Sequence, residues 1–130
     1  MKHYNVVAAV VCHDGKYLCM QKGKTKFEYT SYKWEFPGGK IEPGETLQQA
    51  LARELMEEME YPVEVGEELV AVNYEYPDFS ITMTAFLCTP KGDADGFKRR
   101  EHADSKWCSQ EELKGLDWAA ADVGVVASIL

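Results

Sequence analysis

The stretch Trp34–Tyr61, WEFPGGKIEPGETLQQALARELMEEMEY, constrains this chain more than any other. A Gly-rich turn at Pro37, Gly38 and Gly39 leads through a Pro43-Gly44 bend into a helix. Thr46 followed by Gln49 is a capping box, which sets the helix start at Leu47. At about 100° per residue, Leu47, Ala50, Leu51 and Leu55 form one apolar arc, running from roughly 300° through 0° to 80°. Glu54 falls at roughly 340° and Glu58 at roughly 20°, inside that arc, and Glu57 lies on its edge. Burying ionised carboxylates without partners costs several kcal/mol each. Glu54, Glu57 and Glu58, spaced i, i+3 and i+4, also repel one another. An acidic, solvated helix face is the ordinary explanation of such a cluster, but a solvated face belongs opposite the apolar arc. Local rules are broken in this way mainly at functional sites. A hard divalent cation bound by oxygen ligands relieves both penalties.

The rest of the chain is ordinary. Its 130 residues suit a single domain, 1–130, with a proper core. No apolar run is long enough to span a bilayer, and the N-terminus lacks a signal peptide's pattern, so a cytoplasmic protein with no membrane partner is expected. A formal net charge of -8 argues against a nucleic-acid polymer as partner. It leaves room for a small anionic substrate, because a bound metal and local lysines reverse the field at a site. Cys12, Cys19, Cys88 and Cys108 lie in strand-like stretches without CxxC spacing. They read as small buried hydrophobes in a reducing compartment rather than as zinc ligands.

In chain order, Tyr4–Cys12 is an apolar, β-branched run and reads as a buried strand. Asp14-Gly15 turns it into a second strand, Lys16–Lys22. Gly23–Lys33 is polar and irregular, with Lys24 and Lys26 read as solvated. Trp34–Phe36 is a short strand whose aromatics belong to the core. Beyond the helix, Pro62 forces Tyr61 extended. Val63–Tyr76 and Phe79–Thr89 form a hairpin about Pro77-Asp78. Tyr74, Tyr76 and Phe79 are candidates to stack on a base, against simple packing. A loop over Pro90–Asp104 carries Glu101 and His102, the latter read as a loop histidine, and precedes a strand at Ser105–Cys108. Ser109 with Glu112 is a second capping box. A last apolar helix covers Val123–Leu130. This order predicts an α+β sandwich with helices on both faces of a mixed sheet.

Gly39, Glu45, Arg53-Glu54-Leu55 and Glu57-Glu58, at their fixed spacing, resemble the Nudix box. The box covers a small part of the chain, and flanking similarity extends over most of it. One departure is Glu60, where the family has a glycine suited to a left-handed helix C-cap. An acid there also faces the negative end of the helix dipole, which leaves the helix end open. The resemblance implies the Nudix α/β/α fold and hydrolysis of a nucleoside diphosphate linked to another group. It implies Glu54, Glu57 and Glu58 as metal ligands with the Gly38 carbonyl, and Mg²⁺ as the ion, with Mn²⁺ as an alternative. Arg53 would orient the carboxylates and Lys40 would contact phosphate. Lys22 matches a basic residue that reaches the nucleotide in MutT-like members. Glu101 matches a loop glutamate that joins the metal site, against a solvated loop acid. The base that activates water is Glu54 or Glu101.

Beyond the box, Glu101-His102, Trp107-Cys108-Ser109 with Glu111-Glu112, and Ala121-Asp122 look like MutT-like and CTP-pyrophosphohydrolase-like members. These convert a nucleoside triphosphate to monophosphate and pyrophosphate. Asp122 resembles the position that faces the base, against an N-cap for the last helix. Two other functions stay open: clearance of oxidised purine triphosphates, and a nucleotide sensor without catalysis. The expected partner is a small nucleotide, and the expected state a monomer or homodimer.

Overall fold

The computed structural model describes residues 1–130. Strand β1 (Lys2–His13) turns at Asp14 and Gly15, both at positive φ, into β2 (Lys16–Lys22). β1 begins at Lys2 rather than Tyr4 because it is paired from its first residue. It runs parallel to β6 (Phe79–Pro90), from Lys2 opposite Phe79 to Val11 opposite Cys88. β6 pairs antiparallel with β5 (Val63–Glu75). β2 is flanked by β3 (Trp34–Glu35) and β7 (His102–Cys108), both antiparallel to it. The result is the mixed sheet that the hydrophobic pattern predicts.

The Gly-rich stretch is not a turn. Gly38–Lys40 form a short strand, β4, antiparallel to β1, with Gly39 opposite Val7 and Gly38 opposite Ala8. Glycine is needed for this approach: a Cβ on Gly38 would overlap the Val7 carbonyl, and one on Gly39 would overlap the Glu54 carboxylate.

Helix α1 (Leu47–Met59) starts where the capping box sets it. Thr46 Oγ1 accepts the Gln49 N–H at 3.1 Å, and Gln49 Oε1 accepts the Thr46 N–H at 2.9 Å. α1 lays Ala50, Leu51, Leu55 and Met59 on one face of the sheet, against Val7, Val11, Leu18 and Phe86. On the other face, α2 (Gln110–Leu113) and α3 (Ala120–Ile129) bury Leu113, Ala121, Val125 and Val126 against Val10, Cys19, Phe36 and Ala85. Two cores thus sandwich one sheet. Cys19, Cys88 and Cys108 are buried, Cys12 is half-buried, and all four are free thiols. No helix is long and apolar enough to cross a membrane.

Two further element starts differ from the sequence pattern, each for a tertiary reason, and the end of α1, which the sequence left open, is set by its cap. α1 ends cleanly at Met59, because Glu60 takes the left-handed conformation (φ 48°, ψ 42°) despite not being glycine. β7 begins at His102 rather than Ser105, since His102 pairs with Lys22 across an irregularity in β2. α3 begins at Ala120 rather than Val123, with Ala119 at its N-cap. Trp34 explains that last shift: its N–H donates to the Asp117 carbonyl, and its carbonyl accepts from Ala119 N–H, both at 2.8 Å.

Candidate active site

Arg53 joins the two halves of the motif. Placed mid-helix, its side chain leans back over the entry loop. Nε and Nη2 donate to the two oxygens of Glu45 at 2.5 and 2.9 Å, and Nη2 also donates to the Lys40 carbonyl at 3.0 Å. Nη1 donates to Glu54 at 3.0 Å and to Glu57 at 3.2 Å. Such a fork is charge-assisted and fixed in direction. It holds the Glu45 carboxyl below the usual carboxylate range.

One turn further on, Glu58 enters a cleft of about 260 Å³ with no hydrophobic lining. Glu101, Glu35, His102, Lys22, Lys24 and Gly38 share its walls. Burial pushes the Glu58 carboxyl up to about 8, and the neighbouring charges of Glu54, Glu101 and Glu35 push the same way. The carboxylates are not gathered as a ready-made metal cage. Arg53 holds Glu54 and Glu57, and the Glu57 side chain is 60% exposed, outside the cleft. The donor set still fits a hard divalent cation: it offers oxygen ligands, and burial among like charges disfavours the ionised Glu58 that a cation would stabilise.

Glu35 links this cleft to a second space. Its Oε2 is 3.0 Å from His102 Nε2, and its Oε1 is 3.5 Å from Lys22 Nζ. His102 is therefore not a loop histidine; its side chain is 5% exposed and its Nδ1 has no partner. Beyond Glu35 and Gly38 opens a cavity of about 710 Å³. Phe27, Phe36, Phe79, Ile81 and Met83 make its apolar walls, while Lys2, Lys22, Lys26 and Lys40 bring positive charge. Tyr76 and Phe79 also line it, with rings stacked at 4.8 Å, whereas Tyr74 is 39% exposed and outside the lining.

Asp122 sits in the wall of this cavity, 2% exposed. It is not the N-cap of α3. Its carboxylate accepts the Phe36 N–H at 3.0 Å. Burial pushes the carboxyl from its ordinary 3.8 up to about 8, helped by the Glu35 charge, against the Phe36 amide and Lys22.

The fold thus brings Glu58, Glu101, Gly38 and Lys22 together in one cleft, and Lys40, Lys22 and Asp122 around the adjoining cavity. Glu35, Phe27 and the lysines at 24 and 26 were not legible as site residues. An acid between two aromatics, Trp34-Glu35-Phe36, was the available signal for Glu35. For Phe27 and the lysines there was none, because the 23–33 loop has no periodicity to orient it.

A NUDIX domain model matches residues 1–128. The CTP pyrophosphohydrolase of Escherichia coli (strain K12) is 35% identical, over 100% of this chain and 93% of its own length. The 8-oxo-dGTP diphosphatase of the same strain is 29% identical, over 99% and 98%. Among solved structures, the E. coli ORF135 protein superposes with a TM-score of 0.82 at 34% identity, covering 99% of this chain and 89% of that one. With the family match running nearly end to end, the chain belongs to the Nudix hydrolase family.

Proposed function

We propose that this hydrolase is a Mg²⁺-dependent nucleoside triphosphate pyrophosphohydrolase, releasing monophosphate and pyrophosphate, with cytidine-type or modified nucleotides favoured. One observation carries the reading. An acidic, fully polar cleft and a cavity with apolar walls, large enough to admit a nucleoside, meet along Lys22, Glu35 and Gly38. The base and sugar fit the cavity, and the phosphates then point past the lysines toward the carboxylates.

Glu54, Glu57, Glu58 and Glu101, with the Gly38 carbonyl, would hold Mg²⁺ or Mn²⁺. When bound, the ion would neutralise phosphate charge and ease deprotonation of water. Arg53 fixes the direction of the Glu54 carboxylate through its Nη1. Glu54 or Glu101 takes the proton of the attacking water; Glu101 lines the cleft without Arg53 among its contacts. Lys22 and Lys40 contact phosphate oxygens. Phosphoryl chemistry of this kind is mostly positioning and charge neutralisation.

Asp122 reads the base. At neutral pH its raised carboxyl is largely protonated, so it offers one O–H donor and one acceptor. Cytosine presents a matching acceptor at N3 beside its N4 amino donor. The relatives named as 8-oxo-dGTP diphosphatases favour a second reading, an oxidised purine triphosphate. A sensor without catalysis is disfavoured by the retained acid cluster. A panel of canonical, methylated and oxidised triphosphates, read as kcat/KM with Mg²⁺, separates these readings. Pyrophosphate release from none of them would leave the sensor.

A further inference from the structure

Glu60 holds a left-handed backbone conformation that is costly for a glutamate, and such strain persists only where surrounding contacts fix it. Those contacts lie on one segment. Glu60 Oε2 is 3.0 Å from Lys98 Nζ and is ion-paired with Arg100. Arg100 Nη1 also donates to the Glu57 carbonyl at 3.3 Å, and the Lys98 N–H donates to the Met59 carbonyl at 2.8 Å. The last carbonyls of α1 carry its negative pole, so both cations meet a complementary end. Upstream, the same segment is anchored by the Tyr61 hydroxyl on the Ala94 carbonyl at 2.7 Å and by the edge-on contact of Tyr61 with Phe97. Downstream, Arg99 turns the other way, to the Ala103 carbonyl and Asp104. Arg100 is therefore the final attachment to α1 before Glu101 enters the cleft.

We infer that Glu60 is a positioning residue: through Arg100 and Lys98 it clamps the 98–101 segment to the end of α1 and so sets where the Glu101 carboxylate stands. A glycine at position 60 would relax the cap but remove the two ion pairs, leaving residues 98–100 on backbone-carbonyl contacts alone. The charge accounts for a glutamate at a position whose backbone prefers glycine. This role rests on the assignment of Glu101 to the reaction made above.

The test is steady-state kinetics with saturating Mg²⁺ on Glu60→Gly, Arg100→Gln, Glu101→Gln and the double variant Glu60→Gly/Glu101→Gln. Displacing a reacting group by about 1 Å can cost about 10²-fold, so Glu60→Gly and Arg100→Gln should each lower kcat by roughly 10- to 100-fold with KM unchanged. The Tm of Glu60→Gly should be no lower than wild type, because glycine suits the cap. Glu60→Asn, which tolerates the same backbone without the charge, should give the same loss and guards against a folding defect. In the Glu101→Gln background, Glu60→Gly should add nothing. Full kcat in Glu60→Gly, or an equal loss in both backgrounds, overturns the clamp while leaving the role of Glu101 intact. Full kcat in Glu101→Gln overturns that role, and the clamp with it.

Discussion

Asp122 Oδ1 accepts the backbone N–H of Phe36 at 3.0 Å, joining two residues 86 positions apart. The bond ties the first turn of α3 to the residue that follows β3. It fixes one carboxyl oxygen and leaves the other to the cavity. Asn at this position keeps an acceptor for Phe36 and an N–H donor in place of the O–H, so Asp122→Asn should fold normally and keep the base ranking. Asp122→Ala removes both groups and should change the order of kcat/KM among cytosine, uracil and guanine-type triphosphates. A good bidentate base contact carries about 1–3 kcal/mol of discrimination, so the ratios should move by roughly tenfold. An unchanged ranking in Asp122→Ala would make Asp122 a structural tie only.

The same buried carboxyl predicts a pH dependence of stability. Its folded pKa of about 8 lies above its ordinary 3.8, so between those values the folded state binds the extra proton. Stability from this group is full below about 4 and is lost as pH rises toward 8. Urea midpoints at pH 5.5 and 8.5 should fall for wild type and fall less for Asp122→Asn, which cannot ionise. Equal slopes would mean that Asp122 is already ionised in the folded protein.

Glu58→Gln and Glu57→Gln should both collapse Mg²⁺-dependent kcat, yet differ in the metal-free protein. Glu58 stands among like charges, so its amide should raise the apo Tm. Glu57 is largely exposed, and its 3.2 Å contact with Arg53 is worth little, so its amide should leave the apo Tm nearly unchanged. Near wild-type kcat in both variants would remove the pair from the metal site.

Gly38→Ala should destabilise the protein by about 1–3 kcal/mol or more, since the added methyl must displace the β1 backbone. Gly23→Ala meets nothing within 4 Å and serves as the control. Comparable denaturation midpoints for the two would contradict the close β1–β4 approach.

Local signals made much of this legible. The Thr46 box fixed the start of α1, alternation gave the β5–β6 hairpin, and the position of Glu58 inside an apolar arc marked the acidic cleft. Contacts between distant segments were not legible. Periodicity could not foresee that Gly38–Lys40 pair with β1, or that Trp34 bonds to the 117–119 backbone and so carries Asp122 to Phe36. The site role of Glu35 depends on His102 and Lys22 converging on it from two other strands. The Glu60 cap looked like a defect in sequence because its compensation, Lys98 and Arg100, lies about forty residues away.

Pyrophosphate release is tested most directly by a phosphorus-31 NMR time course of CTP, its 5-methyl-deoxy form and an oxidised deoxyguanosine triphosphate, with and without Mg²⁺. Nucleoside monophosphate and pyrophosphate should appear together, only with Mg²⁺, and that signal should be lost in Glu58→Gln. Orthophosphate with diphosphate, or the same turnover without a divalent cation, would contradict a Mg²⁺-dependent pyrophosphohydrolase.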